Sequence, residues 1–475
     1  MGAHMRILLP TGSIAFPIVK AAARDFDTEV VVTGEIASFL TPQQLKKILV
    51  EGEWDMVLVP GMCTASFEDI EKETGIPIFR GPRHAADLSL ILPLIGSLSL
   101  SRAVPADEFI QMQREQKARE ELVARESSAT FDFMLRGLKV GGTSRMKVLA
   151  EIMDAHRIPS LKAEVERCFD AGADIVDLGF GFDATPADVE RCLAELEVVD
   201  RPLAVDSQDP ALIRASLGRA DLVLSLTEAN MPEVGREVAS AGMAAVVVPS
   251  PGMTLDVAIQ NARKLGITRI IADPLLQPVG SGLVESLYAF RYDGCPLFFG
   301  AGNVTELIDA DSIGVNALLA GIARECGASV IFTSEHSDKT RGSISEMRRA
   351  VEMMVLMDDR PYPKDLGIDL LCIKEKRRRR EPPLEYAHAI DALPMPEEMV
   401  YDPKGNMRIG IEDGRIVAVH HGVAIRGDRW EDVFHTLLSD DRISLLDHAA
   451  YLGKELYKAE LALRFGRSFE QDGKF

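Results

Sequence analysis

The feature that most constrains the fold is a repeat in the middle of the chain. Short apolar runs, each ended by a polar residue, alternate there with amphipathic stretches that have a helical pattern. Apolar runs of this length are typical of strands buried on both faces. Eight runs can be counted, the first from Val148 and the others at residues 172–178, 203–205, 222–226, 244–248, 270–272, 297–299 and 329–332. Because eight is the number at which such a sheet closes, we predict a central (β/α)8 TIM barrel over residues 146–360.

Four of these runs end in a side chain that can accept hydrogen bonds. Asp177, Asp206, Asp273 and Asn303 each stand at the carboxyl end of a predicted strand. In a (β/α)8 barrel, residues at this end point into the mouth where ligands bind, so we expect the four side chains to converge. A flat heterocycle with several N–H donors, such as a 2-amino-4-oxopterin, needs buried carboxylate and amide partners of this kind. The alternative is that each residue only caps the helix that follows it.

The segments around these four residues resemble the pterin-binding superfamily, which holds dihydropteroate synthases and the methyltransferases that act on methyl-tetrahydropterins. They read GADIVDLG at 172–179, LAVDSQ at 203–208, IADPLLQPVG at 271–280 and PLFFGAGN at 296–303. The whole chain resembles the archaeal-type proteins related to dihydropteroate synthase. The resemblance implies that a reduced pterin is held by Asp177, Asp206, Ser225, Asp273 and Asn303. It implies catalytic roles for Asp154 and Asn303.

The sequence also departs from the synthase pattern. The first two segments are shared by both branches of the superfamily, whereas Asp273-Pro-Leu and Gly300-Ala-Gly-Asn are closer to the methyltransferases. The diphosphate-binding loop after the first strand is not recognisable, and the usual Ser-Arg-Lys and Arg-x-His are replaced at residues 301–303 and 332–334. Phosphate binding is therefore predicted at other cations, Arg80, Arg83, Lys339 and Arg341.

Three further regions flank or precede the predicted barrel. Residues 5–100 contain four buried-type strands that each end at a glycine, which predicts a Rossmann-like α/β domain. Residues 101–145 are predicted to be a helical linker whose end, 136–145, is either a lid or an entry loop. Beyond a basic, proline-containing connector at 374–383, a hairpin and helices predict a small C-terminal α+β domain within 361–475.

Composition excludes several classes of protein. The net charge of −20 argues against nucleic-acid binding. No apolar run is long enough to cross a membrane. The six cysteines lack the paired spacing of a zinc site or a disulfide framework, so we predict no metal-ligand motif and a cytoplasmic location.

Three functions are compatible with the sequence. The first is condensation of a dihydropterin methyl diphosphate with a ribosyl-phosphate arylamine, as in tetrahydromethanopterin biosynthesis. The second is methyl transfer from a methyl-tetrahydropterin, for which a corrinoid protein is the expected partner. The third is a pterin-binding protein without chemistry. We rank condensation first and expect a homodimer with no tightly bound cofactor, with Mg²⁺ as a companion of the diphosphate.

Overall fold

A computed structural model describes residues 5–83, 85–358, 362–364, 366–373, 386–394 and 400–473. The predicted connector at 374–383 lies outside these residues. The strands are β1 (Ile7–Gly12), β2 (Thr28–Gly34), β3 (Met56–Val59), β4 (Ile78–Arg80), β5 (Phe133–Leu135), β6 (Leu138–Val140), β7 (Lys147–Ile152), β8 (Ile175–Gly179), β9 (Leu203–Asp206), β10 (Leu222–Leu226), β11 (Ala244–Val247), β12 (Ile270–Ala272), β13 (Leu297–Phe299), β14 (Ala328–Ser334), β15 (Arg408–Glu412), β16 (Arg415–His420) and β17 (Val423–Gly427).

The α-helices lie between and after these strands. They are α1 (Phe16–Ala22), α2 (Pro42–Leu49), α3 (Glu68–Thr74), α4 (Leu88–Ile91), α5 (Ala106–Ser128), α6 (Leu161–Asp170), α7 (Pro186–Glu195), α8 (Pro210–Ser216), α9 (Met231–Ser240), α10 (Leu255–Lys264), α11 (Leu283–Leu287), α12 (Gly302–Thr305), α13 (Ser312–Glu325), α14 (Ser343–Leu356), α15 (Trp430–Ser439) and α16 (Leu446–Arg464).

Strands β7 to β14 close into a parallel barrel of eight strands, which confirms the predicted (β/α)8 fold. Alternate residues point to opposite sides of each strand, so the barrel has two apolar layers. The outward residues, such as Val148 and Val205, pack against the surrounding helices. The inward residues fill the barrel, among them Leu149, Ile175 and Phe298. The barrel is therefore a packed core, and ligands have access only from its ends.

The N-terminal region forms its own four-stranded sheet in the order β2-β1-β3-β4. The described pairs of this sheet are parallel, as a Rossmann-like α/β layer requires. Long helix α5 follows it and leads to the barrel. Its Ala118 packs against Leu356, at the end of the last barrel helix, and against Ile368.

The segment that was predicted as a lid or an entry loop, 136–145, begins in the turn of the antiparallel hairpin β5–β6 and includes its second strand. Leu135 and Val140 of this hairpin pack into the inner layer of the barrel. The side chain of Arg136, in the turn, binds Val199, Arg219 and Asp221, which precede barrel strands β9 and β10. The hairpin thus plugs the N-terminal end of the barrel, opposite the mouth, and the lid interpretation is wrong.

The chain divides into two units, Met1–Pro383 and Leu384–Phe475. The second unit contains a three-stranded antiparallel sheet, β15-β16-β17, covered by α15 and α16. The predicted turn at Asp413 and Gly414 joins β15 to β16, with both residues at positive φ. Among the described residues, no helix is both long and apolar enough to span a membrane.

Candidate active site

The mouth of the barrel carries a layer of inward-pointing carboxylates. Strand alternation places Glu151 two positions after the inward Leu149, Asp177 after Ile175, Asp206 after Ala204 and Asp273 after Ile271. Oxygens of Glu151, Asp177 and Asp206 lie within 4.8 Å of one another. The apolar layer beneath includes Phe298 and Phe332, whose ring centroids are 5.9 Å apart. The mouth therefore carries a layer of carboxylates directly above an apolar layer.

Burial and mutual repulsion raise the pKa values of these acids. Desolvation, followed by the charges of Asp206 and Glu151, holds the pKa of Asp177 well above its ordinary value. A contact with the backbone N–H of Leu178 opposes this slightly. Asp177 nevertheless has no hydrogen bond of good geometry at either carboxylate oxygen among the described residues, although the side chain is fully buried.

Burial raises the pKa values of the other three acids as well. Burial raises the pKa of Glu151 to about 7, with contributions from Asp206 and Glu306. Burial also raises the pKa of Asp273 to about 7, although the Leu275 N–H, 2.8 Å from Oδ1, lowers it. The pKa of Asp206 is raised by burial, against the effect of the Ser225 hydroxyl. Glu151 and Asp273 can thus exchange protons near neutral pH.

Glu151 is the site residue that the sequence interpretation missed. It lies in the first predicted strand, and no role was predicted for it. The pattern that reveals it is alternation, since Leu149 and Glu151 share the inward face of β7 while Val148 and Ala150 face the helices. A carboxylate at an inward position of a buried strand needs a partner, and this is a signal of function.

The structure places the remaining pterin-binding and catalytic candidates around the same mouth. Ser225 lies in β10 with φ of 61° and is partly buried near Asp206. Asn303 is exposed at the start of α12, and its amide lies where a Cβ on Gly300 would come within 2.9 Å of Nδ2. Gly300 therefore leaves room for this amide. Asp154 follows β7 at φ of 48°, its carboxylate 3.9 Å from Arg157.

The phosphate-binding candidates of the N-terminal region already have partners. Arg80 donates to the carbonyl oxygens of Arg102 and Ala65. Arg83 forms ion pairs of 2.9 Å with Asp107 and Glu108. A phosphate bound here would have to replace these contacts, so the role stays a prediction. All these partners lie before the barrel, and no described contact joins either arginine to the mouth.

The two candidates from the end of the barrel differ from each other. Lys339 donates to the carbonyl of Ile308 at 2.7 Å and is 3.3 Å from Asp309. Arg341 is exposed, and its guanidinium has no ion pair in the part of the chain that the structure describes. Glu306 organises the loop between them and β14, because it accepts hydrogen bonds from Ser334, Ser337 and Thr340.

Comparison with known proteins gives three kinds of match. Residues 401–472 match the family model PterinBD-DUF4346. Over 518 aligned residues the chain is 34% identical to "Uncharacterized protein MJ0107" of Methanocaldococcus jannaschii, covering 98% of each chain. Among solved structures it is similar to dihydropteroate synthases of Yersinia pestis with a pterine-sulfa conjugate (19% identity, 47% of this chain and 97% of that one, TM-score 0.39) and of Coxiella burnetii with pteroic acid (20%, 48% and 98%, TM-score 0.38).

The structural similarities are too low to carry an argument, so the assignment depends on the closed barrel, the family model and the full-length relative. The closed eight-stranded barrel and the match of residues 401–472 to the PterinBD-DUF4346 model agree with the pterin-binding class that the sequence motifs predicted. Within that class, the chain belongs to the family of the M. jannaschii protein.

Proposed function

We propose that the barrel mouth binds a reduced pterin and that the protein is a transferase. The observation that carries this is the layer of four inward carboxylates over an apolar floor. A reduced pterin presents an amino group and ring N–H donors along one edge and flat apolar faces. Carboxylates accept those hydrogen bonds, and aromatic and aliphatic side chains contact the faces. Phe182, fully exposed on the loop after β8, adds an aromatic ring at the rim.

Asp206 and Asp273 are the proposed partners of the ring edge because both are accessible in part, whereas Asp177 is fully buried. Calorimetry with a reduced pterin tests this. Asp273→Ala leaves ring donors unpaired and should cost roughly 1–3 kcal/mol of binding free energy. Asp69→Ala, which removes an aspartate that is 94% exposed, is the matched control. Equal affinities for both variants would refute the assignment.

We propose condensation as the reaction: a ribosyl-phosphate arylamine attacks the methylene of a dihydropterin methyl diphosphate. The amine nitrogen forms the new C–N bond, the C–O bond to diphosphate breaks, and diphosphate leaves with the electron pair. The amine then loses its proton. The residues of this chain would bind and orient the two substrates, and Asp273 would hold the pterin edge. Product mass after incubation with both substrates is the direct measurement.

Methyl transfer from a methyl-tetrahydropterin to a corrinoid cobalt is the second candidate. Glu151 and Asp273 favour it, because acids with a pKa of about 7 can supply a proton to a pterin nitrogen that leaves as an amine. The exposed Asn303 amide can turn either its oxygen or its N–H₂ toward that nitrogen, so it can hydrogen-bond to it before and after protonation.

Asn303→Ala should leave single-turnover condensation within about tenfold of wild type. A loss of several hundredfold in methylation of free cobalamin would instead establish methyl transfer. Pterin binding without either product would establish a non-catalytic protein.

Substrate phosphate is proposed to bind at Lys339 and Arg341, with Arg80 and Arg83 as the remaining candidates. Arg341 is expected to contribute most, since it is exposed and without an ion pair among the described residues. Arg341→Ala should weaken binding of the phosphorylated arylamine far more than that of its dephosphorylated form. Equal effects on both ligands would reject the assignment. A homodimer and a cytoplasmic location are part of the same proposal.

A further inference from the structure

Three of the mouth carboxylates converge more closely than pterin binding requires. Oxygens of Glu151, Asp177 and Asp206 all lie within 4.8 Å of one another. Divalent hard cations bind carboxylate oxygens at about 2.0–2.6 Å, so two ligands on opposite sides of one ion are about 4–5 Å apart. The three side chains are therefore already within the span of a single coordination sphere.

Asp177 supplies a separate observation that points to a ligand. Its side chain is fully buried, it points into the cluster, and neither oxygen has a hydrogen-bond partner in the described part of the chain. Buried polar groups almost always have a partner. No Lys, Arg or His side chain is among the groups that shift its pKa; the only charges are those of Asp206 and Glu151. Among the described residues, no cationic side chain therefore compensates the charge of Asp177.

A bare ion fits the buried oxygens of Asp177 better than a pterin ring does. A bicyclic ring needs an accessible surface, and Asp177 has none. A bare ion needs only converging oxygens and a path from solvent, which the partly exposed Glu151 and Asp206 provide. Negative charges at this spacing repel each other, and a divalent ion between them replaces this repulsion with attraction.

We propose that Glu151, Asp177 and Asp206 form a binding site for one divalent hard cation, such as Mg²⁺ or Mn²⁺, at the base of the candidate pterin site. Three carboxylates and no nitrogen or sulfur ligand select this class of ion over zinc or copper. Asp206 can serve both ligands, with one oxygen on the ion and the other toward the pterin. The proposal extends the proposed function, because the ion would lie beside the bound pterin.

Binding of Mn²⁺ to the full-length, EDTA-treated protein tests the site, with electron paramagnetic resonance reporting free Mn²⁺. We expect one high-affinity site. Asp177→Asn keeps the shape of the side chain but removes a charged ligand, so affinity should fall by at least about 100-fold. Glu151→Gln is the second variant in case Asp177→Asn does not fold, with circular dichroism as the check.

Two control variants distinguish direct coordination of Mn²⁺ from nonspecific attraction of the ion by nearby negative charges. Asp273→Asn removes a mouth carboxylate outside the cluster and should lower Mn²⁺ affinity less than about tenfold. Asp69→Asn removes an exposed surface charge and should have no effect. Absence of Mn²⁺ binding at millimolar concentration, or equal losses in Asp177→Asn and Asp273→Asn, would overturn the site.

A pterin titration in EDTA separates this inference from the proposed function. Pterin binding by protein that has no Mn²⁺ site would leave the function standing and overturn the cation site. A specific Mn²⁺ site in protein that binds no pterin would support the cation site and refute the function.

Discussion

Buried aspartates at the two ends of the barrel have opposite electrostatic surroundings. At the N-terminal end, Asp174 is paired with Arg145 at 2.6 Å and Arg348 at 3.2 Å. Burial alone would raise its pKa, but these arginines outweigh it and lower the pKa to about 2. At the mouth, Asp177 is also fully buried, but among the described residues the charged groups that shift its pKa are Asp206 and Glu151, and its pKa is raised.

Other residues extend the contrast. Lys147, fully buried at the start of β7, donates to Glu126 at 2.6 Å and to Ser144 at 2.7 Å. Arg136, in the hairpin that plugs this end, forms an ion pair with Asp221. Each of these charged residues at the N-terminal end, which we call the base of the barrel, has a partner of opposite charge. The base therefore stabilises the fold. The mouth keeps like charges together without such partners, which is costly for stability and is typical of a ligand site.

The largest loss of unfolding free energy is expected from a substitution at the base of the barrel, Asp174→Asn. Asp174→Asn keeps the size of the side chain but leaves the mostly buried guanidinium of Arg145 and the partly exposed guanidinium of Arg348 without this carboxylate. Breaking a buried ion pair in this way costs about 3–5 kcal/mol of unfolding free energy. Hydrogen exchange of barrel peptides measures it, because Trp54 and Trp430 both lie outside the barrel. A loss below about 1 kcal/mol would show that the base network is not a stabilising element.

The pH dependence of stability should also separate the two ends. The raised pKa of Asp273, about 7, means that its contribution is present at low pH and is lost as the pH rises from about 4 through 7. For this partly exposed group we expect roughly 2 kcal/mol, half the value for full burial. Asp174, with a pKa of about 2, loses its contribution only as the pH falls through that value. Urea midpoints of wild type and Asp273→Asn in EDTA check this. An unchanged pH profile in the variant would contradict it.

A smaller effect is expected from the outer arginine of the base network. Arg348→Gln removes contacts of 3.2 and 3.4 Å from Asp174, while the shorter contacts from Arg145 remain. Since Arg348 is partly exposed, we expect a loss of about 1 kcal/mol in the same exchange experiment. If the loss equals that of Asp174→Asn, the two arginines act as one unit.

The smallest effect is expected from Asp177→Asn, the mouth counterpart of Asp174→Asn. The amide resembles the protonated acid that the raised pKa favours. In EDTA the unfolding free energy should therefore stay within about 1 kcal/mol of wild type, or increase. A loss as large as that of Asp174→Asn would remove the contrast between the two ends.

Much of the barrel was predictable because its signals are local. Each strand is a short apolar run, and β12 and β13 begin and end at the predicted residues. The hairpin at residues 133–140 was not recognised, because its two strands are very short and its apolar side chains find partners only inside the closed barrel. The strand-end acids were found, but Glu151 was missed, since its direction depends on the alternation of β7 within a closed sheet.

The phosphate candidates show the same limit. The sequence around Arg83 reads as two arginines beside a strand end. Asp107 and Glu108, which neutralise Arg83, come from the start of α5. No sequence pattern near Arg83 predicts that it pairs with these residues.

The sequence by itself determined the number of barrel strands, their order and the polar residues at their carboxyl ends. These follow from apolar run length and from residues close together in the chain. Only the tertiary structure decided which charges are paired. Arg348 reaches Asp174 across 174 positions of sequence, while the described charged side chains that shift the pKa of Asp177 are both acids. The physical reason is that desolvation and Coulomb energy depend on neighbours in space, and closing the barrel brings those neighbours together.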